Sequence, residues 1–347
     1  MANKNIIVCY DGTGNEYGKN NTNVVHVFES ILRNENQIAF YDPGVGTFSI
    51  FGRTLGKKVG ILLGLAFGAG LQQNIEDGYE YLMNQYNPGD KVFLFGFSRG
   101  AFTARALAGM LYNFGLLQKG SKNLIPYVSK MYNNMRISRF PKIKSKYFFK
   151  NERKNENVKN FKKTFCHECK PHFIGVWDTV ASLGLFWGKK FFDTELNEDV
   201  KYAYQAAAID EKRKKFPVSL WNESKKNRKQ VIEQVWFAGV HSDVGGSYEE
   251  RNLSDIAFAW MMDKASDCDL GLKSDWQDIL VQNAAGTLHN SRKGFWRLWR
   301  PVVRQIPEGS NIHHSVFDRM QKVDYNPEIP NLHQKVNNSS YKKSAHV

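Results

Sequence analysis

Four apolar residues, Val92-Phe93-Leu94-Phe95, run straight into Gly96-Phe97-Ser98-Arg99-Gly100-Ala101. After them Phe102, Ala106, Leu107, Met110 and Leu111 recur at helical spacing. This order of buried strand, glycine-flanked serine and helix constrains the chain more than any other stretch. A strand passes into a helix across so short a link only through a sharp turn, and glycines on both sides let strand and helix pack closely. Such a turn holds the Ser98 hydroxyl out over the end of a sheet. It also aims the amide of Arg99 at a helix N-terminus, where an oxyanion can be held. The functional reading is a nucleophile and the bland one a structural turn. A bare Gly-x-Ser-x-Gly is too short to choose between them, but its placement between strand and helix favours the nucleophile.

Other strand-like runs also end in polar clusters. Residues 5–10 lead into Asp11-Gly12-Thr13-Gly14-Asn15, and 37–41 into Asp42-Pro43-Gly44-Val45-Gly46-Thr47. Residues 173–177 end in Asp178-Thr179-Val180, and 234–240 in His241-Ser242-Asp243-Val244-Gly245-Gly246. Helical patterns fall at 22–32, 71–84, 98–114, 203–209 and 256–264. Strands that alternate with helices imply an α/β fold: a mostly parallel central sheet flanked by helices, with the strand ends along one edge. In open α/β sheets that edge is where sites lie. The apolar, glycine-rich residues 48–70 read either as a packed loop plus helix or as a lid that contacts acyl chains. Between residues 139 and 163, ten lysines and arginines stand against two glutamates, which reads as a basic insertion or solvated crossover. The expected organisation is one domain over 1–325 with an insertion at about 120–165. Its C-terminal part is helical or irregular, and a polar tail follows over 326–347, with fraying from Val323 onward.

The chain has 347 residues, 42% hydrophobic, enough for a sizeable core. Its net charge of +14 favours anionic partners, whether phospholipid surfaces, nucleic acid or acidic substrates. No recognised nucleic-acid motif is present, so no specific nucleic-acid partner is expected. Cys166 and Cys169 form one C-x-x-C with His167 and His172 close by, but no second pair completes a zinc site. The four cysteines therefore read as reduced thiols, and neither metal nor cofactor is expected. The first residues do not make a signal peptide. The longest apolar run, 59–71, falls short of the about 20 residues a bilayer takes. These features describe a protein that is cytoplasmic as synthesised, with any export by a route independent of a signal. Residues 294–300 interleave aromatics with arginine, which suits a lipid interface or an edge helix with its tryptophans turned inward.

In chain order Ser98, Asp178 and His241 follow the order of an α/β-hydrolase triad. Ser98 would attack an acyl carbonyl. His241 would take its proton and return it to the leaving group, and Asp178 would hold the imidazole tautomer. The amide of Arg99 and a second amide from Gly12 or Thr13 would form the oxyanion hole. Asp243 and Asp11 are the alternative acids, and Asp11 could instead shape the oxyanion turn. A second reading has Asp11, Asp178, His241 and Asp243 binding a divalent ion in a metal-dependent hydrolase. It leaves the turn at Ser98 without a purpose. A third is a non-catalytic hydrolase-fold module that binds membrane or nucleic acid.

Five motifs occur together in order: Asp-Gly-Thr-x-Asn from Asp11, Asp-Pro-Gly-Val-Gly-Thr from Asp42, Gly-Phe-Ser-Arg-Gly-Ala from Gly96, Val-Trp-Asp-Thr-Val from Val176, and Trp-Phe-x-Gly-Val-His-Ser-Asp-Val-Gly-Gly from Trp236. Over roughly residues 5–319 the chain resembles the α/β-hydrolase domain, long catalogued as of unknown function, that is found in type VI secretion lipase effectors. The resemblance implies a serine esterase acting on phospholipids, with phospholipase A-like activity and no cofactor. Its nucleophile corresponds to Ser98, its histidine to His241 and its acid to Asp178. It also implies an antibacterial effector with a phospholipid or other acyl-ester substrate and a secretion apparatus or immunity protein as partner. For such an esterase, the basic balance and the patches at 48–71 and 295–299 would give peripheral contact with an anionic lipid surface.

Overall fold

A computed structural model describes residues 3–12, 15, 17–44, 57–138, 151–180, 196–294, 297 and 300–330, with side chains described outside 57–69, 134–138, 151–155 and 225. Seven strands form one sheet: β1 (Asn5–Tyr10), β2 (Gln37–Asp42), β3 (Lys91–Phe97), β6 (Pro171–Trp177), β7 (Tyr202–Ala208), β8 (Val231–Phe237) and β9 (Asn311–Ile312). Their order is β2-β1-β3-β6-β7-β8-β9, and every neighbouring pair is parallel. A short antiparallel ribbon of β4 (Leu116–Leu117) and β5 (Cys166–His167) lies apart from it.

The helices divide between the two faces. On one face lie α2 (Lys57–Gln85), α3 (Arg99–Phe114), α4 (Ile125–Ser138) and α5 (Asn151–Phe165), packed on Ile6, Val8, Val92, Leu94, Ile174 and Val176. On the other lie α1 (Asn23–Ser30) and α7 (Asn252–Ser266), packed on Ile7, Cys9, Phe93, Phe95, Phe173 and Trp177. The two-residue alternation along each strand produces this division. It also explains why the strands read as unbroken apolar runs, since a parallel sheet is covered on both faces. From β1 the chain goes outward through α1 to β2. From β3 it goes the opposite way through α3 to β6. The strand order therefore reverses between the carboxyl ends of β1 and β3, where such sheets open a crevice. The turns carrying Asp11 and Ser98 stand on either side of that reversal.

Residues 203–209, expected to be helical, instead fall on the interior strand β7 and the bend that follows it. Alanine favours helix locally, yet neighbouring strands decide its place here. Ala206 lies opposite Trp177, Ala207 opposite Trp236 and Ala208 opposite Phe237. On the aromatic face, Phe173 has its ring 5.3 Å from Phe95 and 5.4 Å from Tyr204. Farther along the same face of β7, Ala206 and Ala208 leave room for Trp177 and Phe237 at the density a protein interior requires.

The basic stretch 139–163 is not wholly a solvated crossover. Residues 151–165 form α5, whose Val158 and Phe161 pack against the core. Residues 139–150 lie outside the described residues. Of the 48–70 segment, 57–70 continue into helix α2, and 48–56 lie outside the described residues. So do the aromatics Phe295, Trp296 and Trp299. Past α8 (His314–Lys322), packing continues beyond Val323, because Ile329 is buried with Ile306 and Val316. Among the described residues no helix is long and apolar enough to cross a membrane.

Replacing Phe173 by alanine removes a fully buried ring from the aromatic face. The expected loss is about 3–5 kcal/mol of folding stability. Chemical denaturation measures it, with Tyr17→Ala at a 72% exposed position as the control that changes little.

Candidate active site

Ser98 sits between the last residue of β3 and the first of α3, with φ 58° and ψ −116°. A serine is rarely found in that conformation. Tight packing holds it there. A Cβ on Gly96 would lie 2.5 Å from the carbonyl of Gly100, and one on Gly100 would lie 2.1 Å from the carbonyl of Tyr10. Only glycine lets α3 start directly against the ends of β1 and β3. The Ser98 amide donates to the Trp177 carbonyl at 3.0 Å, so the turn is also tied to β6.

His241 opens the short helix α6 (His241–Gly245), which follows β8. Its Nε2 is 2.8 Å from Ser98 Oγ and its Nδ1 is 2.5 Å from Asp178 Oδ2. Phe97 lies against the ring at 4.6 Å, and Phe216 meets it edge-on at 5.2 Å. Asp178 follows β6 with φ 41° and is fully buried. Its Oδ1 accepts from the Ala208 amide at 2.9 Å. Arg304 clamps both oxygens, with Nη1 to Oδ1 at 2.6 Å and Nη2 to Oδ2 at 2.9 Å.

These contacts determine the protonation states. Burial pushes the Asp178 carboxyl up, but Arg304 and the hydrogen bond from His241 outweigh it and hold the group well below the usual carboxylate range. An ionised carboxylate only accepts, so His241 Nδ1 carries the proton and donates. Nε2 is then left to accept from the Ser98 hydroxyl. Burial lowers the His241 pKa, against the opposing pull of Asp178. The ring is therefore held in the neutral form that a base requires.

The two alternative acids are engaged elsewhere. Asp243 Oδ1 accepts from His289 Nδ1 at 2.6 Å, and its Oδ2 accepts from the amides of Val240 and His289. It thereby fixes the turn that carries His241 without meeting the ring's nitrogens. Asp11 accepts from Thr22 Oγ1 and the Tyr41 hydroxyl, each at 2.8 Å, and shapes the turn after β1. Of the four groups proposed as metal ligands, Asp178 and His241 thus face each other, while Asp243 and Asp11 are engaged with other partners. Among the described residues no cluster of three or more histidine, cysteine or acidic side chains could hold a metal.

The oxyanion donors divide in the same way. Arg99 is the first residue of α3, so its amide is one that the helix ladder does not use. Gly12 lies beside Ser98, since a Cβ built on it would be 3.4 Å from Ser98 Cβ. Its amide, however, donates to Asp11 Oδ1 at 2.6 Å. Its service as a second donor would require that bond to be exchanged. Thr13 lies outside the described residues.

Two residues of the site were not among the sequence candidates. Glu211, fully buried in its side chain, accepts from Arg213 Nη2 at 2.8 Å and from the His241 amide at 3.3 Å. Recognising 203–209 as a strand would have exposed Asp210-Glu211 as another strand-end polar pair. Arg304 has no local signal. It stands 126 residues from Asp178, in a stretch without helical or strand periodicity.

A parallel seven-stranded sheet with helices on both faces, and a strained serine turn at the strand reversal, define an α/β-hydrolase-like protein. Residues 4–264 match the family described as the type VI secretion phospholipase effector Tle1-like catalytic domain. The chain belongs to that Tle1-like family. It is also 32% identical over 228 residues to the uncharacterized protein YEL023C of Saccharomyces cerevisiae, a match that covers 62% of this chain and 32% of that protein. The chain thus spans about a third of the length of that relative. Two solved structures are similar, each at 18% identity. One is an uncharacterized protein from Pseudomonas aeruginosa, with a TM-score of 0.43 and 79% of this chain and 47% of the other covered. The other is the Tle1 effector bound to the VgrG spike of the type 6 secretion system, with a TM-score of 0.41 and 72% and 52% covered.

The acid can be identified without an activity assay. An NMR titration should give a His241 midpoint below the ordinary imidazole value of about 6.5. Asp178→Asn should lower it further by removing the anion that favours the imidazolium, and Asp243→Asn should leave it nearly in place. The reverse pattern would make Asp243 the acid.

Proposed function

We propose that this protein is a serine esterase that hydrolyses acyl esters, with phospholipids as the substrate class, through Ser98, His241 and Asp178. The observation that carries the reading is the unbroken line of hydrogen bonds from Asp178 through His241 to a serine on a strained strand-to-helix turn. Family membership supports the choice of phospholipid esters.

The chemistry follows from the atoms. His241 Nε2 takes the Ser98 hydroxyl proton as Oγ adds to the acyl carbonyl, and Asp178 stabilises the resulting imidazolium. The oxyanion forms beside the N-terminus of α3, where the Arg99 amide and the helix dipole favour negative charge. When the intermediate collapses, the C–O bond to the leaving alcohol breaks and His241 protonates that oxygen. Water, deprotonated by the same nitrogen, then adds to the acyl-enzyme carbonyl. Collapse of that second intermediate releases the fatty acid and restores Ser98.

The net charge of +14 supports work at an anionic lipid surface. The solved Tle1 effector is bound to a VgrG spike. By extension, this chain would act as an effector delivered by a signal-independent secretion apparatus, countered by an immunity protein.

Purified protein should release fatty acid from phospholipid vesicles and react covalently with a fluorophosphonate. Ser98→Ala should abolish both. Asp178→Asn should lower kcat by about four orders of magnitude, as loss of a triad acid does. Hydrolysis that survives Ser98→Ala but is lost to a chelator would favour the metal-dependent reading. Tight vesicle binding with no turnover would favour the non-catalytic one.

A further inference from the structure

The family match ends at residue 264, yet the segment after it reaches back to the site. His289 holds Asp243, Ser291 Oγ donates to Glu211 at 2.9 Å, the Val302 amide donates to the Lys212 carbonyl, and Arg304 clamps Asp178. Each carboxylate around His241 is thus met by a residue from 289–304.

We propose that Arg304 is a positioning residue for the proposed ester hydrolysis, and that it both orients Asp178 and moderates its pull on His241. The inference rests on the serine-esterase reading. Its geometric basis is a buried fork. Nη1 and Nη2 donate to the two oxygens of Asp178, and the same nitrogens donate to the carbonyls of Ala208 at 2.8 Å and Phe216 at 2.7 Å. One guanidinium therefore ties the carboxylate to the end of β7 and to the loop whose Phe216 ring edges His241. With Oδ1 also bonded to the Ala208 amide, the carboxylate cannot rotate, and Oδ2 stays aimed at Nδ1. A planar five-donor group fits that task and a lysine does not.

The second effect is electrostatic. An isolated buried carboxylate against an imidazole strongly favours the imidazolium. A cation on the far side of the carboxylate offsets that pull and leaves the ring free to accept the Ser98 proton at lower pH. The other charged groups near His241 are Glu211, bonded to its amide, and Arg213, paired with Glu211; Asp243 is held by His289. Glu211 is paired with Arg213, and Asp243 accepts its hydrogen bonds from His289 and the Val240 amide. Arg304 is the group matched directly to Asp178.

The test compares wild type, Arg304→Lys, Arg304→Gln and Ser98→Ala on a soluble p-nitrophenyl ester, across the pH range that brackets imidazole titration. Thermal melting and near-UV circular dichroism check folding. Arg304→Gln should lower kcat by about 100-fold with KM nearly unchanged. It should also move the acid limb of kcat/KM up by about one pH unit, because the imidazolium is no longer opposed. Arg304→Lys keeps the charge without the fork, so it should return the limb to its wild-type position and recover only part of kcat. A Ser98-dependent wild type whose Arg304→Gln variant keeps its limb overturns the electrostatic role. An Arg304→Lys variant with wild-type kcat overturns the orienting role, and it decides the matter alone if Arg304→Gln does not fold. Wild type no more active than Ser98→Ala would overturn the esterase reading and this inference with it.

Discussion

A carboxylate with no exposure to solvent stands at the carboxyl end of β6, and it must be matched or it cannot remain charged. Asp178 is matched by groups from three other parts of the chain: the Ala208 amide at the end of β7, the His241 ring after β8, and the Arg304 fork from the C-terminal segment. Each contact fixes the place of the element that supplies it. Burial raises the cost of an unpaired charge and strengthens each pairing at the same time. The edge of the sheet is therefore organised around this one group. The Ser98–His241 contact depends on that arrangement as well, since His241 is oriented from the Asp178 side.

The packing beneath the site has a complementary logic. One face of the sheet is aromatic at Phe93, Phe95, Phe173 and Trp177, and Ala206, Ala208, Ala257 and Ala265 are the small residues of the same cluster. Gly96 and Gly100 let α3 start against the ends of β1 and β3, and the alanines of β7 make room beside Trp177, Trp236 and Phe237. The close approach that strains Ser98 is thus part of the same steric scheme that fills the core. A strained residue persists only where its surroundings over-determine it. The hydrogen bond from the Ser98 amide to the Trp177 carbonyl and the contact of Gly100 with the end of β1 supply that constraint.

Most of the parallel strands were legible because a sheet covered on both faces writes itself as short, uninterrupted apolar runs. Asp11, Ser98, Asp178 and His241 were legible because each closes such a run. The alanine-rich residues 203–209 were not, because local propensity there points to helix and only the bulk of adjacent strands selects β7. That misreading concealed Glu211. The α5 helix was obscured by its many charges, although Val158 and Phe161 give it one face to bury.

The alternation of strand and helix, the serine turn between β3 and α3, and the chain order of Ser98, Asp178 and His241 are all readable from the residues alone. These are local facts, written in apolar runs and glycine spacing, and each survives without knowing what lies nearby in space. Which carboxylate meets His241 is a matter of the fold, because Asp178, Asp243 and Asp11 are chemically alike. The choice depends on strand order and turn direction. Only the fold could bring in Arg304, since a charge-matching contact between residues 126 positions apart leaves no periodic trace in either stretch. Hydrophobic pattern is local and repeats, whereas the pairing of a buried charge happens once and acts through space.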